Sequence, residues 1–336
     1  MRASLYRVHE KSCVMAALSL LFVAAQASPS DCRPDAFPRN PVETSVRAAM
    51  QNAAWLDRRD VQQARMLSTG KGVTVAVIDT GVDFGHWQLE KGLRIDGYNF
   101  GDNNRDIHDD IGHGTLVAGI IAGQKWGLAP DATILPIKVN ASGSLSFKPE
   151  ALASGIDYAV EHGAQIINLS LYANEKDRSV ADAIRRALAK GVIIVAAAGN
   201  QGGNVSFPGS LPGTIVVAGT NVDGTLSPAS NRGDEITIAA PSRMVGSTLS
   251  SDDFNPYAHG TSFAAPIVSA AIAALLQINP QLDREQVIDT LRSTADGIPN
   301  TEFDFGQIDV GRALQAAKAL LNRACRDRNF PVRNTR

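Results

Sequence analysis

Asp79, His113, Asn200 and Ser262 are residue types that can orient a base, carry a proton, stabilise an oxyanion and attack a carbonyl. Asp79 ends the apolar run from Val73 to Ile78 and precedes Thr80-Gly81. If that run is a strand of a parallel sheet, its carboxylate stands at the C-terminal end, where such sheets open a functional crevice. A turn-forming aspartate explains the same residue. His113 stands between Gly112 and Gly114, just before the helical run TLVAGIIAG, where an imidazole can project into a cleft. With His108, Asp109 and Asp110 it could instead belong to a transition-metal site, although no further ligand set pairs with them. Ser262, in AHGTSFAAP, opens a long apolar helix. Unpaired N–H groups and the helix dipole favour negative charge there, but a serine N-cap is the ordinary alternative. Asn200 closes the run IIVAAAGN at the same sheet edge as Asp79. Its amide can donate to an oxyanion, or simply turn the chain through Asn-Gln-Gly-Gly.

These residues act together only if secondary structure brings them to one edge. Short continuous apolar runs at 73–78, 132–139, 165–169, 192–197 and 214–218 read as strands buried on both faces. Helical patterns at 149–161, 179–190, 284–294 and 310–322 alternate with or follow them. A further helix is expected over 44–66. The alternation predicts an α/β, three-layer, doubly wound fold with a mostly parallel central sheet. Residues 263–278 are nearly all apolar and small, and read as a central buried helix rather than a membrane span. Gly70-Lys71-Gly72 precedes its strand and lacks the spacing of a phosphate loop.

Around this body the ends differ in composition. Arg2, Arg7 and Lys11, the apolar run from Cys13 to Ala25, and Ala25-Gln26-Ala27 predict a signal peptide over 1–27 and an exported protein, secreted or periplasmic. No stable membrane span is expected after cleavage. Residues 28–48 form an irregular leader with Pro29, Pro34, Pro38 and Pro41, 49–322 a single domain, and 323–336 a basic tail. Cys32 and Cys325 outlast cleavage, and an oxidising compartment permits a disulfide between them, two unpaired thiols being the alternative. The 336 residues carry a net charge of −2, which points to neither nucleic acid nor an anionic membrane as partner.

The order Asp, His, Asn, Ser and the stretches VAVIDTGVD, GHGTLVAG, INLSL, AAAGN and GTSFAAP resemble the subtilase family of subtilisin-like serine peptidases, from about Trp55 to Leu320. The resemblance implies a subtilisin-like fold and an endopeptidase acting on proteins or peptides without a cofactor. Asp79, His113 and Ser262 would form its triad, with Asn200 as oxyanion donor. It assigns Asn168, Leu169, Ser170 and Leu171 to substrate-backbone pairing and Ala197, Ala198 and Gly199 to the opposite wall. Of the other histidines, His259 is expected at the rim of the site, His86 in a structural role and His162 as a charge partner at a helix C-terminus. Three departures stand out. Little chain precedes Asp79 for a propeptide, Tyr172 replaces the usual glycine, and Ile121 to Pro130 is compact, with no carboxylate before Pro130. The family's high-affinity calcium loop is therefore expected to be missing, while weak calcium sites stay open. A dedicated processing peptidase and a catalytically silent binding protein on the same fold are the alternative readings.

Overall fold

The computed structural model describes residues 59–329, except 95, 174, 243–246, 249–253, 256–258 and 302. The signal peptide, the leader with Cys32, most of the helix expected over 44–66 and the last residues of the basic tail lie outside the described residues, as does the Cys325 side chain.

The apolar runs form the sheet. Strands β1 (Thr74–Asp79), β2 (Tyr98–Asn99), β3 (Thr133–Lys138), β4 (Ile166–Leu169), β5 (Ile193–Ala197), β6 (Ile215–Thr220) and β7 (Ile236–Pro241) lie in the order β2-β3-β1-β4-β5-β6-β7. Every pairing in it is parallel. A small antiparallel pair, β8 (Ser247–Thr248) and β9 (Phe254–Asn255), is separate. The chain leaves β1 toward β3 on one side and returns to β4 on the other, so the sheet's switch point flanks the C-terminal end of β1. Asp79 is the last residue of that strand.

Alternate residues of the central strands β1, β4 and β5 serve two cores, as the two-residue period of a strand requires. Val75, Val77, Ile166 and Val195 face helices α2 (His113–Ala122), α5 (Thr261–Ile278), α6 (Arg284–Thr294) and α7 (Val310–Asn329). Ala76, Ile78, Ile167 and Ile194 face α3 (Pro149–Glu161) and α4 (Arg178–Ala189). The short α1 (Arg59–Leu67) joins the first core through Val61 and Ala64. Helix α7 continues seven residues beyond the expected boundary at Asn322, so the basic segment starts as helix.

Helices α4 and α6 are capped in the ordinary way, by Asp177 and by an Asp283–Gln286 capping box. Helix α5 is different. It is long and apolar enough to cross a membrane, yet lies buried against the sheet, and Gly260 at its N-cap supplies no side-chain bond. Its end groups must find partners elsewhere.

The α2 N-terminus sits tightly on the β1 turn. A Cβ on Gly114 would lie 2.1 Å from the Gly81 carbonyl oxygen and 3.2 Å from Asp79 Cβ. Gly114→Ala is therefore expected to force the helix away and to lower stability by about 1–3 kcal/mol. Thermal unfolding checks this, and an unchanged Tm would contradict the packing.

Candidate active site

The β1 end places Asp79 with its side chain 2% exposed. Its Oδ1 accepts the Thr80 N–H at 2.8 Å and meets His113 Nδ1 at 2.7 Å. A carboxylate can only accept, so Nδ1 carries the proton and Nε2 of the neutral ring is left as the acceptor. His113 is the first residue of α2, entered from Gly112 in the left-handed region at φ 94°. The Phe263 ring packs against the imidazole at a centroid distance of 5.4 Å.

The loop before His113 is fixed by Asp109. This buried carboxylate accepts from Thr80 Oγ1 at 2.7 Å, from the N–H groups of Ile111, Gly112 and Thr115, and from Thr115 Oγ1 at 2.6 Å. The Thr80 hydroxyl in turn accepts the Gly114 N–H at 2.9 Å. Asp110 points elsewhere, to buried Lys138 at 2.6 Å, whose ammonium also donates to the His108 carbonyl. Of the four groups of the alternative metal site, Asp109, Asp110 and His113 thus turn their side chains to three different sets of partners. Among the described residues no three His, Cys, Asp or Glu side chains converge.

Asn200 follows β5 and reaches the start of α5. Its Oδ1 accepts the Thr261 N–H at 2.8 Å and the Thr261 hydroxyl at 3.0 Å. A backbone N–H can only donate, so this contact fixes which way the amide points and leaves Nδ2 as its donor. Nδ2 lies on the Gly260 side, where a Cβ would come within 3.2 Å of it. The Gly199 N–H donates to Thr261 Oγ1 at 3.1 Å, completing the tie.

Asp79, His113 and Ser262 line one cleft of about 500 Å³. One wall is Ser170, Leu171, Tyr172 and Ala173, the other Val139, Asn140 and Leu145 to Phe147, with Leu145 exposed. The structure divides the residues expected to pair with substrate. Asn168 and Leu169 are interior to the sheet, Asn168 between Val77 and Val195 and Leu169 beside Ala196, while Ser170 and Leu171 reach the cleft. Ala197 and Ala198 are buried, and Ala198 is already bonded through its N–H to Val217 and through its carbonyl to Ser206. Gly199 is likewise committed to Thr261 and Asn231. These three residues position Asn200. Thr80, Asp109 and Thr261 carry much of the geometry but were not singled out for it from sequence, since hydroxyls and a second aspartate near a motif give no sign of direction.

The remaining expectations resolve simply. His259 is exposed just before α5. His86 is buried and its Nδ1 accepts the Gln88 N–H at 3.1 Å. His162 stacks on Tyr158 at 3.6 Å and its Nδ1 meets the Tyr158 carbonyl at the α3 C-terminus. In the compact 121–130 segment, the Lys125 N–H is taken by Gln88 Oε1 at 2.7 Å.

Burial pulls the His113 pKa down, but the charge and hydrogen bond of Asp79, with Asp109 beyond, outweigh it and lift it above the ordinary 6.5. A raised folded-state pKa stabilises the fold below about 6.5, and that contribution is lost as pH rises through the folded value. NMR titration of the imidazole should give a midpoint above 6.5, and Asp79→Asn should lower it. A midpoint unmoved by Asp79→Asn would remove Asp79 as the cause.

Residues 70–308 match the subtilase family model of peptidase S8. A thermophilic serine proteinase of Bacillus sp. strain AK1 is 38% identical over 255 residues, covering 72% of this chain and 62% of that relative. A cold-adapted subtilisin-like serine proteinase superposes with a TM-score of 0.66 at 30% identity, covering 72% of this chain and 88% of its own. The prenylagaramide maturation protease PagA superposes at 0.65 with 28% identity, covering 78% and 99%. The chain belongs to the subtilase family, a family of serine endopeptidases.

Proposed function

We propose that this chain is an exported serine endopeptidase that cleaves peptide bonds through an acyl-enzyme on Ser262. The observation that carries the reading is the 2.7 Å contact of His113 Nδ1 with buried Asp79, in the same cleft as Ser262. It leaves Nε2 to take the Ser262 proton as the hydroxyl attacks the scissile carbonyl. The same nitrogen then gives that proton to the leaving amine. Water deacylates the enzyme by the reverse route. Asp79 holds the tautomer and stabilises the imidazolium without accepting its proton. Asn200 Nδ2 and the Ser262 N–H would hold the oxyanion at the α5 N-terminus, where the helix dipole adds to them. Export rests on the N-terminal sequence pattern.

An extended peptide lying along the cleft would meet Leu171 and Tyr172 on one side and Leu145 and Phe147 on the other. These walls favour apolar side chains upstream of the cut. Tyr172, 40% exposed at the rim, narrows the approach and favours a second reading, a processing peptidase dedicated to one partner. The likeness to a maturation protease is compatible with it. A panel of unrelated unfolded proteins separates the two: broad cleavage supports the general enzyme, and cleavage of none of them the dedicated one.

A fluorophosphonate probe should label Ser262, and Ser262→Ala should lose both labelling and peptidase activity while keeping the fold. Full labelling of that variant would contradict the mechanism. Asn200→Ala should lower kcat by about 10²–10³ with little change in KM, the range found for loss of one such donor in subtilisin. An unchanged kcat would remove Asn200 from the oxyanion site.

A further inference from the structure

Pro266 lies four residues after Ser262, inside α5. In a regular helix the Ser262 carbonyl would accept the N–H of residue 266. Proline has no N–H, and its ring presses on the carbonyl four residues back. The nucleophile's own peptide carbonyl is therefore deprived of its helical donor and tilted out of the ladder, at a buried helix end where a lost bond is costly.

The structure supplies a replacement from a different element. Ser170, just past the end of β4, donates its hydroxyl to the Ser262 carbonyl at 2.7 Å. Asn168 Nδ2 donates to Ser170 Oγ at 2.9 Å, and Ser269 Oγ donates to Asn168 Oδ1 at 2.8 Å. Ser170, Asn168 and Ser269 are all buried. The direction of this chain is fixed by chemistry. The Asn168 NH₂ can only donate, so it occupies the Ser170 oxygen and leaves that hydroxyl's single proton for a carbonyl that can only accept. Ser262 and Ser269 are seven residues apart, two turns along one face of α5. Two points on the helix are thus pinned to one strand end.

We infer that the Ser170 side chain is a positioning residue for the nucleophile: it holds the Ser262 main chain, and through it Oγ, by replacing the hydrogen bond that Pro266 removes. This inference rests on the peptidase reading and gives Ser170 a task separate from lining the substrate cleft. A substrate-contacting hydroxyl would act on KM, whereas a group that sets the attack geometry acts on kcat.

The test compares Ser170→Ala, Pro266→Ala and the double variant with the full-length wild type. It reads kcat and KM on a peptide substrate, the rate of Ser262 labelling by a fluorophosphonate, and thermal unfolding. Ser170→Ala should lower kcat and labelling rate together by about tenfold with KM unchanged. In the Pro266→Ala background, where residue 266 regains its N–H, the same substitution should cost less than about threefold. Equal losses in both backgrounds, or a raised KM with unchanged kcat, would overturn the assignment. If Pro266→Ala fails to fold, Ser170→Ala decides alone through its split between kcat and KM. A wild type that is never labelled at Ser262 would overturn the peptidase reading and this one with it. A labelled wild type whose rate Ser170→Ala leaves unchanged would overturn only the positioning role.

Discussion

A helix buried on all sides cannot leave its end groups to water, and the site follows from how α5 meets that demand. Its N-terminus lacks a side-chain cap of its own and has a proline in its second turn. The partners come from the loops beyond the sheet: Asn200 after β5 takes the Thr261 N–H, and Ser170 after β4 bonds the Ser262 carbonyl. Each satisfies a polar group that burial would otherwise make costly. Because the partners sit at the C-terminal edge of a parallel sheet, satisfying the helix also gathers them around Ser262. Stability of the helix end and preorganisation of the site are one arrangement.

The α2 side of the cleft follows the same logic with opposite chemistry. There a buried carboxylate, Asp109, collects neutral N–H and O–H donors and so fixes the turn that presents His113. Asp79 is left to face the imidazole. The close approach of Gly114 to Gly81 lets the two elements lie near enough for that contact. One aspartate shapes the backbone while the other tunes the ring, and their adjacency in space raises the affinity of His113 for its proton.

Much of the frame was legible in the sequence because its strands are buried on both faces and read as unbroken apolar runs. Helices α3 and α6 appear at the expected residues. Strand β7 was missed, since Ile236-Thr237-Ile238 follows Asp234-Glu235 and ends at Pro241, a pattern that reads as loop. Helix α7 runs past Asn322 because a run rich in arginine and alanine is as compatible with helix as with a tail. The four candidate residues could be singled out by type and order. Direction was not: Asp109 was weighed as a metal ligand and Asn168 as a substrate contact. A one-dimensional pattern does not say whether a side chain points into a cleft or back at its own backbone. Asn168, inside the motif stretch INLSL, serves the interior.

On the proposed mechanism, the amide fixed by Thr261 and the α5 N-terminus together receive the oxyanion formed at Ser262. A crystal structure of the protein treated with a peptide boronate or phosphonate tests it most directly. The expected result is a covalent bond to Ser262 Oγ, with one adduct oxygen within about 2.7–3.1 Å of Asn200 Nδ2 and of the Ser262 N–H nitrogen. An adduct on another residue, or an adduct oxygen pointing away from Asn200 with the Thr261–Asn200 bonds intact, would contradict it.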